Sequence, residues 1–199
     1  MGKKANPFSY GAGHMRPNRA MDPGLVYDLT VNDYLDFLCA IGYNQTLISK
    51  FSGGPYKCPH DAVAKANGSS SSSSHLLNFN YPSITVPNIT SKVTITRRVK
   101  NVGAPGKYEA WLRQPRGFLA TVEPTSLTFK ETGQEQTFKL TLRAKNMKSS
   151  SPSLSPSPYP SPYPPPNLNE YWSRYSFGEL LWSDGSHYVR SPIVVAAAA

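Results

Sequence analysis

The chain has 199 residues, which is long enough for one medium-sized domain with an appendage and for a single hydrophobic core. Only 39% of the residues are apolar and 19 are prolines, so we expect a large fraction of loops. The 21 basic and 12 acidic residues give a net charge of +9, which would suit an acidic polymer as a partner. However, no basic run with interleaved aromatic residues is typical of a nucleic-acid-binding surface, and no apolar stretch is long enough to span a bilayer. We therefore expect neither nucleic acid nor a membrane as a partner.

The opening segment, residues 6–28, alternates glycine and proline with aromatic or aliphatic residues. This composition predicts a tightly packed irregular loop that is neither a helix nor a strand. Such a loop must lie against something larger, and little that follows it suits that role. Unless the segment folds onto the rest of the chain, we expect it to be poorly ordered. Its apolar residues would then partly lack packing partners: Phe8, Tyr10, Leu25, Val26 and Tyr27.

Two short helices are predicted next. Thr30 and Asp33 have capping-box spacing, and Gly42 is a typical C-terminal stop. Asn44 can cap a second helix that ends at the glycine pair beginning with Gly53. The apolar residues that recur at helical spacing in these two segments are Tyr34, Leu38 and Ile41, then Leu47, Ile48 and Phe51.

Beyond residue 75 the apolar period changes from helical to two. Val93, Ile95 and Val99 alternate with polar residues, and similar alternation occurs later. We interpret the nearby basic residues Arg97, Arg98 and Lys100 as an ordinary solvated strand face. About seven short strands separated by glycine and proline turns predict an antiparallel β-sandwich. The other predicted strands cover residues 108–112, 138–142, 177–182 and 188–195, with turns at residues 103–106, 115–117, 123–124, 132–133 and 183–186.

Two low-complexity stretches divide the chain. Residues 67–75 are rich in serine and are predicted to be a flexible linker. Residues 149–169 contain repeated Ser-Pro and Tyr-Pro units, which favour polyproline II structure and cannot join a sheet. This insertion is either a genuine, O-glycosylatable extension or retained non-coding sequence. We therefore divide the chain into residues 1–66, the linker 67–75, and a sandwich over 76–195 that carries the insertion.

Cysteine and glycosylation signals point to a secretory compartment. Cys39 and Cys58 are the only cysteines, and one disulfide between them would contribute about 3 kcal/mol in the chain-entropy model. The N-glycosylation sequons begin at Asn44, Asn67 and Asn88. The first residues lack the apolar core of a signal peptide, so by itself this chain would stay in the cytosol with reduced cysteines.

No pattern in the sequence predicts a catalytic site. His14 is interpreted as a hydrogen-bonded structural residue, while His75 and His187 lie beside the serine linker and at a hairpin end. Cys58 and His60 are close enough in sequence for a Cys–His pair or for two ligands of a metal site. No second histidine lies at the spacing of a further metal ligand, so we expect no metal and no cofactor. Capping and loop hydrogen bonds account for the acidic residues of the N-terminal part: Asp22, Asp28, Asp33 and Asp36.

Several blocks of sequence resemble plant subtilisin-like serine proteases (subtilases). The motifs NPFSYGAGHMRPN (6–18) and AMDPGLVYD (20–28) resemble the end of the subtilase catalytic domain, as does YLDFLC (34–39) just after it. The later blocks resemble the fibronectin type III-like domain of the same family. They are LNFNYPSI (77–84), VKNVG (99–103), VEP (122–124), LTF (127–129), FGEL (177–180), WSDG (182–185) and VRSPIVV (189–195).

The resemblance implies a mainly β fold: an antiparallel fibronectin type III-like sandwich preceded by a small helical remnant of a catalytic domain. In the family, the catalytic Asp, His and Ser and the oxyanion-hole Asn precede the opening segment. No residue of this chain inherits their roles, and Cys58-Pro59-His60 copies only the tail of the nucleophile motif. The chain is therefore expected to be non-catalytic, although its parent family is a serine-type endopeptidase.

Three functional hypotheses remain open. The first is a partial subtilase whose fibronectin-like domain supports a protease domain, extracellular by family resemblance. The second is an independent extracellular module that binds acidic wall polysaccharide or a protease. The third is a degenerate gene product with no retained function.

Overall fold

The computed structural model describes residues 5–59, 76–145 and 174–197. The predicted serine linker, the proline-rich insertion and Asn67 lie outside these ranges. The described residues form a two-sheet β-sandwich with a small helical part at its N-terminal side, which confirms the predicted fold class.

The opening segment contains regular structure, so the prediction of a loop without helix or strand is wrong. It forms one helical turn at Pro7–Tyr10 (α1), a second at Pro17–Ala20 (α2), and the strand Leu25–Val26 (β1). Each turn begins with a proline, whose fixed φ is preorganised for the first helical position and whose missing N–H costs nothing there. The side chain of Asn6 caps α1 by accepting a hydrogen bond from the Phe8 N–H at 2.9 Å.

Helix α3 spans Val31–Ala40 and α4 spans Gln45–Ser52. Thr30 and Asp33 form the predicted capping box, and the Asn44 side chain caps α4 by accepting from the Leu47 N–H. Of the three apolar residues that recur at helical spacing in α3, Leu38 packs against the helical core, whereas Tyr34 and Ile41 are exposed. The residues that bury instead, against Ile48 of α4, are Leu35, Cys39 and Ala40.

The first sheet has the strand order β1-β3-β7-β5, with every neighbouring pair antiparallel. Its main strands are β3 (Lys92–Asn101), β5 (Phe118–Glu123) and β7 (Glu135–Ala144). The two-residue strand β1 adds to the edge of this sheet through Leu25 opposite Asn101. The opening segment is therefore part of the sandwich and not a separate appendage.

The second sheet has the order β2-β9-β8-β4-β6. Its strands are β2 (Ile84–Ile89), β4 (Gly106–Arg113), β6 (Ser126–Phe129), β8 (Ser176–Ser183) and β9 (Tyr188–Ala197). The pairing of β2 with β9 is parallel, unlike every other pair in the described residues. A parallel pair needs a long connection, and these two strands are separated by most of the domain. Apolar alternation does not reveal β2, because Pro87 and Asn88 interrupt it with two consecutive exposed residues.

The core lies between the two sheets. Its largest fully buried side chains include Tyr108, Phe129, Phe138 and Trp182, and the Phe138 and Trp182 rings meet edge to face at 5.2 Å. Arg97 is also buried, at 4% exposure, so its interpretation as a solvated residue is wrong. The period of two already places Arg97 inward, between Ile95 and Val99 on the same face of β3.

Candidate docking surface

The opening segment is attached to the sandwich at several points. Near its end, the Tyr27 and Ser191 hydroxyls are hydrogen-bonded at 2.7 Å, joining the segment to β9. Burial raises the pKa of Tyr27, although the bond to Ser191 and the nearby charge of Arg97 oppose this shift, so the phenol stays protonated at neutral pH. Lys100 Nζ contacts Asp28 Oδ2 at 3.0 Å, and this ion pair holds the pKa of Asp28 below its usual range.

Arg97 joins the chain that enters the sandwich to strand β3. Its guanidinium donates to the carbonyl of Leu77 at 2.6 Å and to that of Tyr81 at 3.1 Å. Burial lowers the pKa of Arg97 to about 10, so it remains charged at neutral pH. Asn80 strengthens the same junction, since its amide donates to the carbonyls of Asp28 and Arg98. One buried charge and one amide therefore fix residues 76–81 against both the opening segment and the sheet.

A third attachment, the His187 bridge, consists of His187, Asp184 and Asp22. His187 Nδ1 lies 2.7 Å from Asp184 Oδ2, and Nε2 lies 3.2 Å from Asp22 Oδ2. Hydrogen bonds to Asp184 and Asp22 raise the pKa of His187. Partial burial disfavours the Asp184 carboxylate, but hydrogen bonds from His187 and from the Ser186 N–H lower its pKa to about 2. The bridge connects the β8–β9 turn to the opening segment.

Gly24 allows the opening segment to approach this bridge closely. Its φ of +73° lies in the left-handed region, and a Cβ there would collide with the Tyr108 hydroxyl and come within 2.8 Å of His187 Cγ. Burial, followed by the neighbouring Asp184, raises the pKa of Tyr108 to about 12. Glycine is therefore required at this position both for the backbone conformation and for the available space.

The structure corrects the expected roles of the histidines and aspartates. His14 is exposed and forms no hydrogen bond in the described part of the chain, whereas His187 is the histidine held in a fixed geometry. Asp33 is a helix cap as predicted, but Asp22 and Asp28 pair with residues far along the chain. Leu25 is buried and Tyr27 is hydrogen-bonded, so neither lacks a partner as the sequence suggested.

The cysteine and glycosylation candidates lie near the helical pair and on the second sheet. The Sγ atoms of Cys39 and Cys58 are bonded at 2.04 Å, which ties α3 to the chain beyond α4. Asn44 is exposed at the start of α4, and Asn88 is exposed in β2. Both described sequons are therefore accessible on the surface.

Exposed apolar side chains are concentrated in residues 5–59. Of the sixteen large apolar side chains that are exposed in the described residues, ten lie in this part of the chain. Three of them form a cluster on the helical pair, which we name the helical apolar cluster: Tyr43, Leu47 and Phe51. The Tyr43 and Phe51 rings are 6.0 Å apart, and Leu47 precedes Phe51 by one helical turn. This cluster is therefore a candidate interaction surface.

A family model described as a fibronectin type-III domain matches residues 78–195. The chain belongs to this family. Over almost its whole length, this fibronectin type-III chain also matches the C-terminal region of plant subtilisin-like proteases. This chain is 50% identical over 194 residues to subtilisin-like protease SBT5.4 of Arabidopsis thaliana. The aligned region covers 97% of this chain and 20% of that protein.

Other relatives give the same result. Subtilisin-like protease SBT5.3 of Arabidopsis thaliana is 47% identical over 96% of this chain and 21% of its own length. Subtilisin-like protease Glyma18g48580 of Glycine max is 42% identical over 96% of this chain and 20% of its own length. The fibronectin type-III chain thus spans about a fifth of the length of the curated relatives that it matches. These matches confirm the resemblance to plant subtilases found in the sequence.

Similarity to solved structures is much lower. The crystal structure of a FixG-related protein from Vibrio parahaemolyticus aligns with a TM-score of 0.35 and 12% identity, over 54% of this chain and 80% of that chain. This similarity is too low to support a functional comparison. Within the described ranges, no helix is long and apolar enough to cross a membrane.

Proposed function

We propose that this chain is the non-catalytic C-terminal portion of an extracellular subtilisin-like serine endopeptidase, and that its sandwich supports the folding and activity of the protease domain. The observation that carries the proposal is the arrangement of residues 5–59. This region is bonded to the sandwich and also presents most of the large apolar side chains that are exposed in the described residues. In a subtilase, these exposed side chains would pack against the catalytic domain that precedes them.

The chemistry of the described residues supports a non-catalytic role. A histidine that acts as a general base needs a ring nitrogen directed at a nucleophile. Both ring nitrogens of His187 instead face carboxylates. The sulfurs of Cys39 and Cys58 are bonded to each other and so are not thiolate nucleophiles. Oxidation of this pair and glycosylation at Asn44 and Asn88 form part of the same proposal, since both require a secretory compartment.

A chimera tests the supporting role. The matching C-terminal fifth of Arabidopsis SBT5.4 is replaced by this chain, and secretion and peptide hydrolysis are measured. We expect the chimera to be secreted and active, and deletion of the same region to abolish activity. An active deletion variant would overturn the proposal. The purified chain alone should neither hydrolyse a fluorogenic peptide nor react with a fluorophosphonate probe.

The docking side is tested within the chimera by Leu47→Asp. A charge in a buried apolar interface is costly, so we expect reduced secretion and a lower melting temperature. The matched control is Leu119→Asp, which places the same charge at an exposed leucine on β5 of the sandwich. Equal behaviour of the two variants would exclude the helical apolar cluster as the docking surface.

A further inference from the structure

An exposed tryptophan lies on the outer face of the second sheet, and neither the core nor the docking surface uses it. Trp111 of β4 is 66% exposed and has no ring, hydrogen-bond or cation contact within the described residues. Tyr188, at the start of β9, is 52% exposed on the same outer face. Two exposed aromatic side chains on one face of a sheet form an apolar surface patch, and such a patch marks a candidate binding site.

The strand register defines the surface between these two rings. Trp111 lies opposite Leu181 of β8, while Tyr188 lies opposite Ser183 of the same strand. Because β8 separates the strands that carry the rings, the two backbones are about 10 Å apart. The rings border an open groove of about 520 Å³ whose floor contains Leu181 and Ser183. Trp111 and Tyr188 therefore lie on the two sides of β8 and border this groove.

The tyrosine side of the groove is held in place, which preorganises the surface. The Tyr188 hydroxyl donates to the Gly185 carbonyl at 3.1 Å, and the Arg19 guanidinium lies 5.5 Å from the centre of the Tyr188 ring. Trp111 presents both an aromatic face and an indole N–H donor to solvent. A rigid platform loses little conformational entropy when it binds a ligand.

The charged residues around the groove compensate one another. Lys107 contacts Glu109 at 3.0 Å, and Glu179 accepts from Arg113 at 3.1 Å and from Arg190 at 3.2 Å. The remaining carboxylate, Asp184, is bonded to His187. With Arg19 over the Tyr188 ring, and leaving His187 aside, four cationic side chains surround the groove together with three carboxylates. The groove therefore has only a small positive excess to attract a polyanion, despite the net +9 of the whole chain. What the groove offers a ligand is aromatic surface for stacking, with polar groups at its margin.

The geometry points to a binding site for a neutral β-linked polysaccharide on this groove, stacked on Trp111 and Tyr188. The C–H faces of pyranose rings pack against the electron-rich faces of aromatic rings, while the sugar hydroxyls hydrogen-bond to nearby polar groups. An extended, ribbon-like chain suits the flat outer face of a sheet. This inference is independent of the proposed supporting role, because it uses a different surface.

The test is isothermal titration of the full chain with cellohexaose as the neutral ligand and oligogalacturonate as the acidic one. We expect cellohexaose to bind with an affinity that changes little between low and moderate salt. Trp111→Ala should weaken this binding about tenfold or more, and Trp111→Phe should retain part of it because stacking is preserved. Leu119→Ala is the control, since Leu119 is also exposed, at 41%, but lies on β5 of the other sheet.

Two results would overturn the inference. One is the absence of cellohexaose binding by a chain that is folded according to its circular dichroism and melting temperature. The other is binding of oligogalacturonate alone that disappears with added salt, which would indicate non-specific charge attraction. Equal loss of binding in the Trp111→Ala and Leu119→Ala variants would likewise exclude this groove.

Discussion

The sandwich and the N-terminal region are stabilised in different ways. The sandwich has two sheets around a continuous core that contains several fully buried large side chains, among them Trp182, Phe138 and Tyr108. The helical pair has a core of only four buried residues and a disulfide. The opening segment is held by the pairing of β1 with β3, by burial of Leu25 in the sandwich core and by hydrogen bonds to the sandwich. The comparison shows that a region that buries few of its own apolar residues can still be ordered by attachment to a larger neighbour. Four predictions test this difference, from the largest expected effect to the smallest.

Removal of a sandwich core side chain should have the largest effect. Phe138→Ala creates a cavity beside Trp182 and should lower the free energy of unfolding by about 3–5 kcal/mol. Urea denaturation of the full chain measures the loss. The control is Leu119→Ala, because Leu119 is 41% exposed and its truncation leaves no internal cavity. Similar losses in both variants would show that the two sheets do not share one core.

Reduction of the disulfide should act on the N-terminal region alone. The bond closes a loop with a sequence separation of 19, and its loss should cost this region about 3 kcal/mol. Amide exchange is measured for the double variant Cys39→Ser, Cys58→Ser. We expect faster exchange in α3 and α4 with unchanged exchange in β3 and β7, which serve as the internal control. Faster exchange throughout the sandwich would contradict the proposed division.

The buried arginine should matter more than its exposed neighbour. Arg97→Gln leaves the carbonyls of Leu77 and Tyr81 without their donor and should cost about 1–3 kcal/mol. Arg98→Gln is the matched control, since Arg98 is half-exposed on the opposite face of β3 and its ion pair with Glu135 contributes less than about 1 kcal/mol. Chemical denaturation compares the two variants. Equal effects would mean that the buried hydrogen bonds do not hold residues 76–81.

The smallest expected effect is a pH dependence of the His187 bridge. The pKa of His187 is raised above 6.5, so its contribution is fully present below about pH 6.5 and is lost as the pH rises through the raised value. The pKa of Asp184 is lowered from 3.8 to about 2, so its contribution is present above about pH 4 and is lost toward pH 2. Attachment of the opening segment should therefore be strongest between about pH 4 and 6.5.

Amide exchange of residues 20–28 at a series of pH values, corrected for intrinsic rates, measures this attachment. His187→Gln should remove the decline above pH 6.5, whereas His14→Gln should leave it unchanged because His14 is exposed and unbonded. The same decline in both variants would assign the pH dependence to another group.

Local signals in the sequence were sufficient for the elements that depend on local chemistry. The capping box at Thr30, the Asn44 cap and the turn glycine at Gly53 act within one helical turn, so residue type and spacing predict them. Alternation of period two likewise predicted most strands of the sandwich. The resemblance to plant subtilases was also carried by contiguous motifs, and the comparisons with known proteins confirmed it.

The tertiary structure alone decided the contacts between distant residues. Nothing near Asp22 in the sequence indicates its partner His187, and Tyr27 and Ser191 are separated by 164 positions. The buried face of α3 and the parallel pairing of β2 with β9 also depend on which surfaces meet after folding. By itself, the sequence determined the fold class, because local propensity and apolar periodicity are properties of neighbouring residues, and its contiguous motifs carried the resemblance to the family. Whether an apolar or charged residue is buried in the core, bonded to a distant segment or exposed to solvent depends on which residues lie next to it after folding.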